Sequence, residues 1–275
     1  IRQLEELIGQ PLFDYVGKKL YMTEAAEALQ RASRDIFGRL ENLDMQLSDM
    51  QGSLQGQLKL AVESSAKYFV PHLFAAFKQQ QPDINLHLTV VNRAQVIKRL
   101  ADNRDDLVIM SLVPPDMALE FLPFLNYPIV AVAPPGHPLG KATALNLRDL
   151  EPYPLLVREA GSGTRKACEE YFQQKRVHFP QKYEISSLEA VREGVVAGLG
   201  LALLPRHSVT QELANGRLLE LPVEELPLYR SWCVVHARGK RLSPVAQAFL
   251  DYIRSERTQI SALGQTFSGY CPTAH

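Results

Sequence analysis

The sequence predicts an α/β protein with two lobes, preceded by a short N-terminal unit and a long helix. Two separate series of short apolar strands and amphipathic helices alternate along most of the 275 residues. Such alternation is typical of parallel sheets covered by helices. A continuous helical pattern over residues 23–51 precedes the first series. The glycines at positions 52 and 56 separate that helix from the first strand, so we predict a hinge at 52–57.

The N-terminal unit, residues 1–22, is predicted to contain one helix and one hairpin. A helical pattern covers residues 1–8 and stops at Gly9. Strands are predicted at 12–16 and 20–23, joined by Gly17, Lys18 and Lys19 into a wing. The first residue is not methionine and already lies inside the helical pattern, so we expect the natural chain to begin further upstream.

The segment 23–51 carries an apolar stripe, with Thr23 as a plausible N-cap. Apolar residues recur there at spacings of three and four: Leu29, Ala32, Ile36, Leu40, Leu43, Leu47 and Met50. A helix of this length, roughly 40 Å, cannot bury such a stripe by itself. We therefore predict a dimerisation helix that packs on a partner. Packing against its own chain remains the alternative.

The remaining chain is divided between two lobes and a tail. Lobe I takes residues 58–128 and 231–257, and lobe II takes residues 129–230. Residues 258–275 have no period and are expected to be a loosely held tail. Predicted strands are 58–62, 84–90, 107–110, 121–125, 129–133, 155–158, 183–186, 201–204 and 232–236. Predicted helices are 70–80, 95–101, 164–174, 188–197 and 244–254. The chain crosses between the lobes twice, which leaves a cleft suited to small ligands.

Composition excludes several classes of protein. The formal net charge is 0, which argues against a wholly basic nucleic-acid coat but allows a small DNA-binding unit. Cys168, Cys233 and Cys271 are far apart and odd in number, so we predict no disulfide framework and no metal site. No long apolar run and no signal peptide are evident. We expect a cytoplasmic protein without a cofactor.

The stretch REAGSGTR, residues 158–165, is the strongest candidate for a binding site. It places Ser162, Gly163 and Thr164 where a strand hands over to a helix, and free N–H groups at a helix start attract anions. Arg158 and Arg165 add donors suited to carboxylate or phosphate. The alternative is a capped helix with solvated arginines.

A second turn of the same kind follows the first strand of lobe I. Ser64, Ser65 and Lys67 lie between that strand and a helix, and we expect the two serines to face Ser162 and Thr164 across the cleft. The carboxyl ends of parallel strands border such a crevice. Further candidates for ligand contact are therefore Asn92, Arg93, Ser111 and Ser187.

No catalytic set emerges from the sequence. It contains no Gly-x-Ser-x-Gly elbow, no P-loop and no His-Glu-x-x-His motif, so we predict that the protein is not an enzyme. Lys18 and Lys19 at the wing tip are suited to DNA phosphates. Three functions are considered for such a scaffold: a ligand-responsive transcription regulator, which these features favour, a solute-binding protein of a transport system, and an enzyme.

The first 29 residues resemble the second half of the winged helix-turn-helix of LysR-type transcriptional regulators. Residues Ile1, Arg2, Leu4, Glu5, Ile8, Gly9, Leu12 and Phe13 match the family stretch I-R-x-L-E-x-x-L-G-x-x-L-F. Ala26 stands where the family usually has glycine. The resemblance implies DNA contacts by Arg2 beside Lys18 and Lys19.

Several further stretches resemble the CbbR-type subgroup, which regulates RuBisCO and Calvin-cycle operons. They include SSAKYFVPHLFAAF, VVNRAQVIKRL, NYPIVAVAPPGHPL and REAGSGTRKACEEYF. Ser186-Ser187-Leu188-Glu189-Ala190 departs from the usual Ser-Asn-Glu-Ala of the subgroup.

The resemblance implies an activator that binds promoter DNA as a homodimer or homotetramer. RNA polymerase is a further candidate partner. The resemblance also implies an effector domain like type II periplasmic binding proteins, holding a small anionic metabolite, a phosphorylated sugar or an organic acid.

Overall fold

The computed structural model describes residues 1–50 and 54–260. The N-terminal part contains α1 (Arg2–Ile8), β1 (Phe13–Val16), β2 (Lys19–Met22) and α2 (Glu24–Met50). The next part contains β3 (Gly56–Glu63), α3 (Val70–Gln80), β4 (Ile84–Val91), α4 (Arg93–Ala101), β5 (Leu107–Met110) and β6 (Leu119–Ala133). Then follow β7 (Leu155–Arg158), α5 (Gly163–Lys175), β8 (Lys182–Ile185), α6 (Leu188–Val196) and β9 (Ala202–Pro205). The chain continues with α7 (Thr210–Ala214), β10 (Leu219–Glu220), β11 (Leu228–Ala237) and α8 (Pro244–Ser255).

The N-terminal unit has the predicted helix and hairpin. Helix α1 ends at Gly9, whose φ of 71° lies in the left-handed region that glycine tolerates. Strands β1 and β2 are antiparallel, and Val16 pairs with Lys19. Lys19 is therefore the first residue of β2 rather than part of the turn, which is a small correction. The hydroxyl of Thr23 accepts the Ala26 N–H at 3.2 Å, as expected of an N-cap.

Helix α2 contacts lobe I and also leaves its apolar stripe open. Met45 packs against the main core, and the Glu41 carboxylate accepts a hydrogen bond from Lys59 at 2.6 Å. In contrast, large apolar side chains of the helix are about half exposed, namely Ile36 at 59 %, Leu40 at 53 %, Leu43 at 48 % and Leu47 at 51 %. One face of the helix is thus held by its own chain, while the stripe singled out in the sequence remains free to pack elsewhere.

The large sheet is built around the predicted parallel strands. Strand β3 lies between β4 and β5 and is parallel to both. Alternate residues of β3 face opposite layers: Leu60 belongs to the core that α3 and α8 cover, and Ala61 belongs to the core that α4 covers. Phe77 of α3 and Phe249 of α8 meet over the first face with ring centroids 5.1 Å apart.

Strand β6 corrects the sequence prediction, which had two strands at 121–125 and 129–133. It is one strand of 15 residues. Pro123 and Pro128 lie within it, although proline has no N–H to donate to a ladder. The structure keeps the strand extended by pairing residues 119–129 with β11, with a register shift between Trp232 and Cys233. The second half of β6 also pairs with β9 and β10, so β6 and β11 join the two lobes.

Lobe II forms around β7, β8 and β9. Strands β7 and β8 are parallel, and a core made by Leu156, Val191 and Leu204 lies beneath α6. The sequence missed the short elements α7 and β10. It also assigned 258–275 to a loose tail, whereas residues 257–260 are helical and Ile260 is buried. Residues 52 and 53 of the predicted hinge and residues 261–275 of the tail lie outside the described residues.

Gly200 lies against the backbone of Pro154, which allows a stability prediction. A Cβ at this position would overlap the carbonyl oxygen of Pro154. We expect Gly200→Ala to lower the free energy of unfolding by about 3 kcal/mol, measured by urea denaturation. The matched control is Gly198→Ala, where no heavy atom lies within 4 Å and only the φ of +83° is strained, so the loss should be about 1–2 kcal/mol. Equal losses in the two variants would contradict this packing.

Candidate functional site

The stretch 158–165 closes the cleft against lobe I. The carbonyl oxygen of Gly161 accepts the backbone N–H of Ala94, at the start of α4, at 3.1 Å. A Cβ on Gly161 would lie 2.9 Å from the Ala94 Cβ, and the φ of Gly161 is +89°. Glycine is therefore needed both for the turn and for the close approach of the two lobes.

Arg158 is the buried cation of the cleft. It is 4 % exposed. Its Nε and Nη2 donate to the carboxylate of Glu159 at 2.8 and 3.0 Å, and Nη2 also donates to the Ser64 hydroxyl at 3.2 Å. Its Nη1 is buried and has no hydrogen-bond partner among the residues that the structure describes. A buried donor without a partner is costly, so this atom marks a place where an acceptor would be stabilised.

Glu63 is the buried anion of the cleft. It ends β3 and is 2 % exposed. Its carboxylate accepts the N–H and the hydroxyl of Ser111 at 3.3 and 3.2 Å, and a Cβ on Gly163 would overlap it. Burial raises the pKa of Glu63 to about 7, against the opposing effects of Ser111, Arg93 and Arg158.

Three of the predicted polar residues are helix caps. The side chain of Asn92 accepts the Gln95 N–H at 3.1 Å at the start of α4. The hydroxyl of Ser162 accepts the Arg165 N–H at 3.4 Å at α5, and that of Ser187 accepts the Ala190 N–H at 3.3 Å at α6. The capping alternative is therefore realised at these residues, and all three helix starts lie along the cleft.

A second polar contact joins the lobes beside α6. Lys67 forms an ion pair with Glu189, and the Tyr68 hydroxyl donates to the same carboxylate at 3.0 Å. The Ser187 hydroxyl donates to its other oxygen at 2.9 Å. Burial opposes the charge of Glu189, but the bonds from Lys67 and Ser187 outweigh it and lower its pKa to about 2. We call Lys67, Tyr68 and Glu189 the interlobe latch.

Ser65 contributes its backbone to the same boundary. Its carbonyl oxygen lies 2.9 Å from His207 Nε2, which belongs to lobe II. Burial lowers the pKa of His207 to about 4, so the ring is neutral at pH 7 and donates its N–H to this carbonyl. The His207 ring also meets Tyr68, Phe69 and Tyr127 at centroid distances of 5.9, 6.3 and 5.7 Å.

The other predicted cations have partners of their own. Arg93 donates twice to the carbonyl oxygen of Leu112, at 2.9 and 2.6 Å. Arg165 donates to Glu169 at 2.8 Å and to Glu184 at 2.5 Å. Its guanidinium therefore forms ion pairs within lobe II and is not simply solvated, as the alternative interpretation of the sequence had it. Thr164 is 4 % exposed and lines a small lobe II cavity of about 20 Å³ with Arg158 and Arg165.

The structure therefore assembles the predicted residues in two groups. Ser64, Ser111, Arg158 and Gly163 meet around Glu63, while Lys67 and Ser187 meet around Glu189. Sequence reasoning gave no role to the carboxylates Glu63, Glu159 and Glu189. Glu63 ends the same strand whose following turn was singled out, so the strand-end rule already pointed to its position.

The predicted DNA contacts lie apart from the cleft. Arg2 is on α1, Lys18 is in the hairpin turn and Lys19 begins β2, and all three are exposed. No cluster of three metal-binding side chains occurs among residues 1–50 and 54–260. None of the described helices is both long and apolar enough to cross a membrane. Cys168 and Cys233 are buried free thiols, and Cys271 lies outside the described residues.

The interlobe latch yields a testable prediction. Glu189→Gln removes the ion pair with Lys67, so the lobes should separate more often. We expect amide hydrogen exchange in residues 64–68 to become about threefold to fivefold faster, which corresponds to about 1 kcal/mol of lost hydrogen bonding. The control is Glu193→Gln on the same helix, because Glu193 pairs with Arg217 within lobe II. Equal exchange rates in both variants would show that the latch does not hold the lobes.

Comparison with known proteins identifies a matching family and several similar transcriptional regulators. The family description "LysR substrate binding domain" matches residues 51–258. The HTH-type transcriptional activator CmpR of Synechocystis sp. is 41% identical over 261 residues, which are 95% of this chain and 86% of that protein. The RuBisCO operon transcriptional regulator of Acidithiobacillus ferrooxidans is 41% identical over 253 residues, 92% of this chain and 82% of that protein.

Solved structures agree with these relatives. The regulatory domain of Synechocystis CcmR in complex with 2-PG is 36% identical with a TM-score of 0.71, and the match covers 75% of this chain and 100% of that one. Corynebacterium glutamicum OxyR is 21% identical with a TM-score of 0.69 over 98% of this chain and 85% of that one, which supports the fold alone.

The relatives are named as regulators, so the alternative of a transport solute-binding protein is not supported, and enzymes are not among these relatives. The two-lobed fold matches the expectation drawn from the resemblance. Family match and identity together lead to one conclusion: the chain belongs to the LysR family of transcriptional regulators.

Proposed function

We propose that this protein is a LysR-type activator of carbon-fixation genes whose activity is set by a small anionic metabolite in the interlobe cleft. The CmpR and RuBisCO operon regulators support the class of target genes. The CcmR domain in complex with 2-PG supports the class of effector. A phosphorylated sugar or an organic acid fits the same chemistry, and 2-PG is the first ligand to test.

One observation carries the proposed effector site, namely the buried guanidinium of Arg158 with an unused Nη1 donor. It lies where the β3 turn meets the β7–α5 turn, next to the Ser64 hydroxyl. Charge-assisted bonds to a carboxylate or phosphate are the strongest that such a group can form. Glu159 supplies a carboxylate to Arg158, and an effector would exchange with it or add to it at Nη1.

The proposed ligand set follows the two groups of cleft residues. Arg158, Ser64, Ser111 and Gly163 form its centre, and Ser162 and Thr164 contribute the start of α5. Ser65, Lys67, Asn92, Arg93, Arg165 and Ser187 border the cleft from both lobes. Their present partners, such as Glu189 for Lys67 and Glu184 for Arg165, would have to be exchanged before these side chains could reach a ligand.

The proposed regulation uses the difference between open and closed cleft. An effector shifts the assembly only by its differential affinity for the two states. Closure would act through the segment 52–57 and the contact of Glu41 with Lys59 on helix α2. Pairing of the apolar stripes of two α2 helices would form the homodimer, and two dimers the homotetramer. Altered spacing of the DNA-binding units would then change promoter binding and the recruitment of RNA polymerase.

The proposal includes the boundaries of the two lobes and the location of the protein in the cell. We divide the effector domain into lobe I, 58–128 and 231–257, and lobe II, 129–230, because β6 and β11 are the strands shared by both. We place the protein in the cytoplasm, because a regulator must reach promoter DNA.

The effector proposal is tested at Arg158. We expect Arg158→Gln to weaken 2-PG binding by about 2 kcal/mol, roughly thirtyfold in Kd, because a charge-assisted donor is lost. Isothermal titration calorimetry measures the change. The control is Arg148→Gln, an exposed arginine outside the cleft, whose Kd should equal that of the unchanged chain. The proposal would be refuted if calorimetry with the unchanged chain detected no binding of 2-PG, phosphorylated sugars or organic acids.

The DNA proposal is tested at the wing. Replacing Lys18 and Lys19 by alanine should weaken binding to duplex DNA at every sequence, because phosphate contacts carry no sequence information. The slope of log K against log salt should become shallower by about 1 for each lysine removed. Fluorescence anisotropy over a salt series gives both quantities, with Lys166→Ala in lobe II as the control. An unchanged slope would argue against phosphate contacts at the wing.

A further inference from the structure

Glu63 is a carboxylate in an unusual place for a site that attracts anions. It is 2 % exposed and lies at the end of β3, facing lobe II across the cleft. Its bonds come from the N–H and hydroxyl of Ser111 in its own lobe. The residue is not one of the cleft residues to which the sequence or the proposed ligand set assigns a function.

The carboxylate of Glu63 stands against the first residue of α5. A Cβ on Gly163 would overlap Glu63 Oε2 and would lie 3.3 Å from Oε1, so only glycine leaves room for the carboxylate there. The N-terminus of α5, a helix of 13 residues, attracts negative charge through its unpaired N–H groups. Glu63 thus occupies the position that the charge of an anionic ligand would take.

The charged and titratable groups around Glu63 come from every neighbouring element. Arg93 of α4 and Arg158 of β7 favour its ionised form. Cys233 of β11 and Tyr127 of β6 lie close enough for the Glu63 charge to raise their own pKa values. Burial outweighs the two arginines and raises the pKa of Glu63 to about 7, so its charge changes near neutral pH.

We propose that Glu63 determines which anions the cleft accepts: a ligand enters only with one proton, held between the Glu63 carboxyl group and the ligand. An ionised Glu63 beside an anion without a proton would place two negative charges together in a buried site. A protonated Glu63 instead donates a hydrogen bond to the ligand oxygen. This inference rests on the proposed function and names the selection rule of the same site.

The shared proton separates anions by their chemistry. A phosphate ester protonates near pH 6, so the site can bind it together with one proton at moderate cost even at pH 8, whereas sulfate is a far weaker base that takes up a proton only in strong acid. At pH 8 the unchanged chain should therefore prefer phosphate esters and inorganic phosphate over sulfate. Glu63→Gln keeps the shape and a donor but removes the negative charge, so the variant should accept sulfate as well.

The direction of the pH effect follows from proton linkage. Burial already raises the pKa of Glu63 to about 7 in the folded chain. A proton held between its carboxyl group and the ligand raises that pKa further, so binding takes up a proton above pH 7. Affinity must then rise as pH falls through 7. One proton predicts a Kd about tenfold lower at pH 6 than at pH 8.

The experiment is calorimetric titration of 2-PG at pH 6, 7 and 8, each in two buffers of different ionisation enthalpy. The chains are the unchanged protein, Glu63→Gln and the control Glu170→Gln, a surface carboxylate that pairs with Lys166 on α5. Protonation of the ligand contributes equally in all three chains, so a difference in pH dependence between the chains arises from Glu63. We expect Glu63→Gln alone to lose most of the tenfold pH effect and the proton uptake. Sulfate should compete with 2-PG at pH 8 only in that variant.

The outcomes separate this inference from the proposed function. Binding in all three chains with the same pH dependence and the same proton uptake would overturn the role of Glu63 and leave the effector site standing. No binding of 2-PG, other phosphorylated metabolites or organic acids in any chain would overturn the proposed function.

A measurement without ligand tests the buried carboxyl group directly. Its folded-state pKa exceeds the ordinary value, so its contribution to stability is complete below about pH 4.5 and is lost as pH rises through about 7. The urea midpoint of Glu63→Gln, relative to the unchanged chain, should therefore be higher at pH 8 than at pH 5. Parallel midpoints of the two chains across this range would refute the charge change on which the inference depends.

Discussion

The cleft of this protein depends on balancing buried charges at the point where the two lobes meet. Arg158 is buried with Glu159 and Ser64 as partners, and Glu63 is buried with Ser111. A buried charge without a partner lowers the stability of the fold by several kcal/mol. Each of these groups therefore fixes the positions of the residues that pair with it. Polar contacts such as Arg158 with Ser64 and Lys67 with Glu189 join the two lobes. A ligand of the right charge can replace some of these contacts.

Helix α2 connects the cleft-bearing lobe I to the N-terminal unit, residues 1–22. Glu41 of the helix pairs with Lys59 of β3, and Asp35 accepts a hydrogen bond from Asn103 at 3.3 Å. Strand β3 ends at Glu63, so the same strand contacts the helix at one end and the cleft at the other. Such a rigid element can carry a change of lobe position to the helix when both sites bias it.

Much of the architecture could be predicted from local patterns, because period and turn chemistry act within a few residues. Strand 107–110, strand 155–158 and helix 70–80 were predicted with the bounds that the structure gives. The prediction divided β6 into two strands, because the pairing with β11 that keeps the strand extended is a long-range contact and leaves no local pattern. In the cleft, strand-end and helix-start rules located the hydroxyls and Arg158. They could not identify Glu63, Glu159 and Glu189, because ion-pair partners depend on how the lobes close.

A crystal structure of this chain with 2-PG tests the central claim most directly. The account predicts the ligand between Arg158 and the start of α5, with an oxygen bonded to Arg158 Nη1 and another in contact with Glu63. Ligand density elsewhere would contradict it, for example in the open groove of about 450 Å³ lined by Arg93, Arg165 and Lys166, with the contacts of Arg158 unchanged.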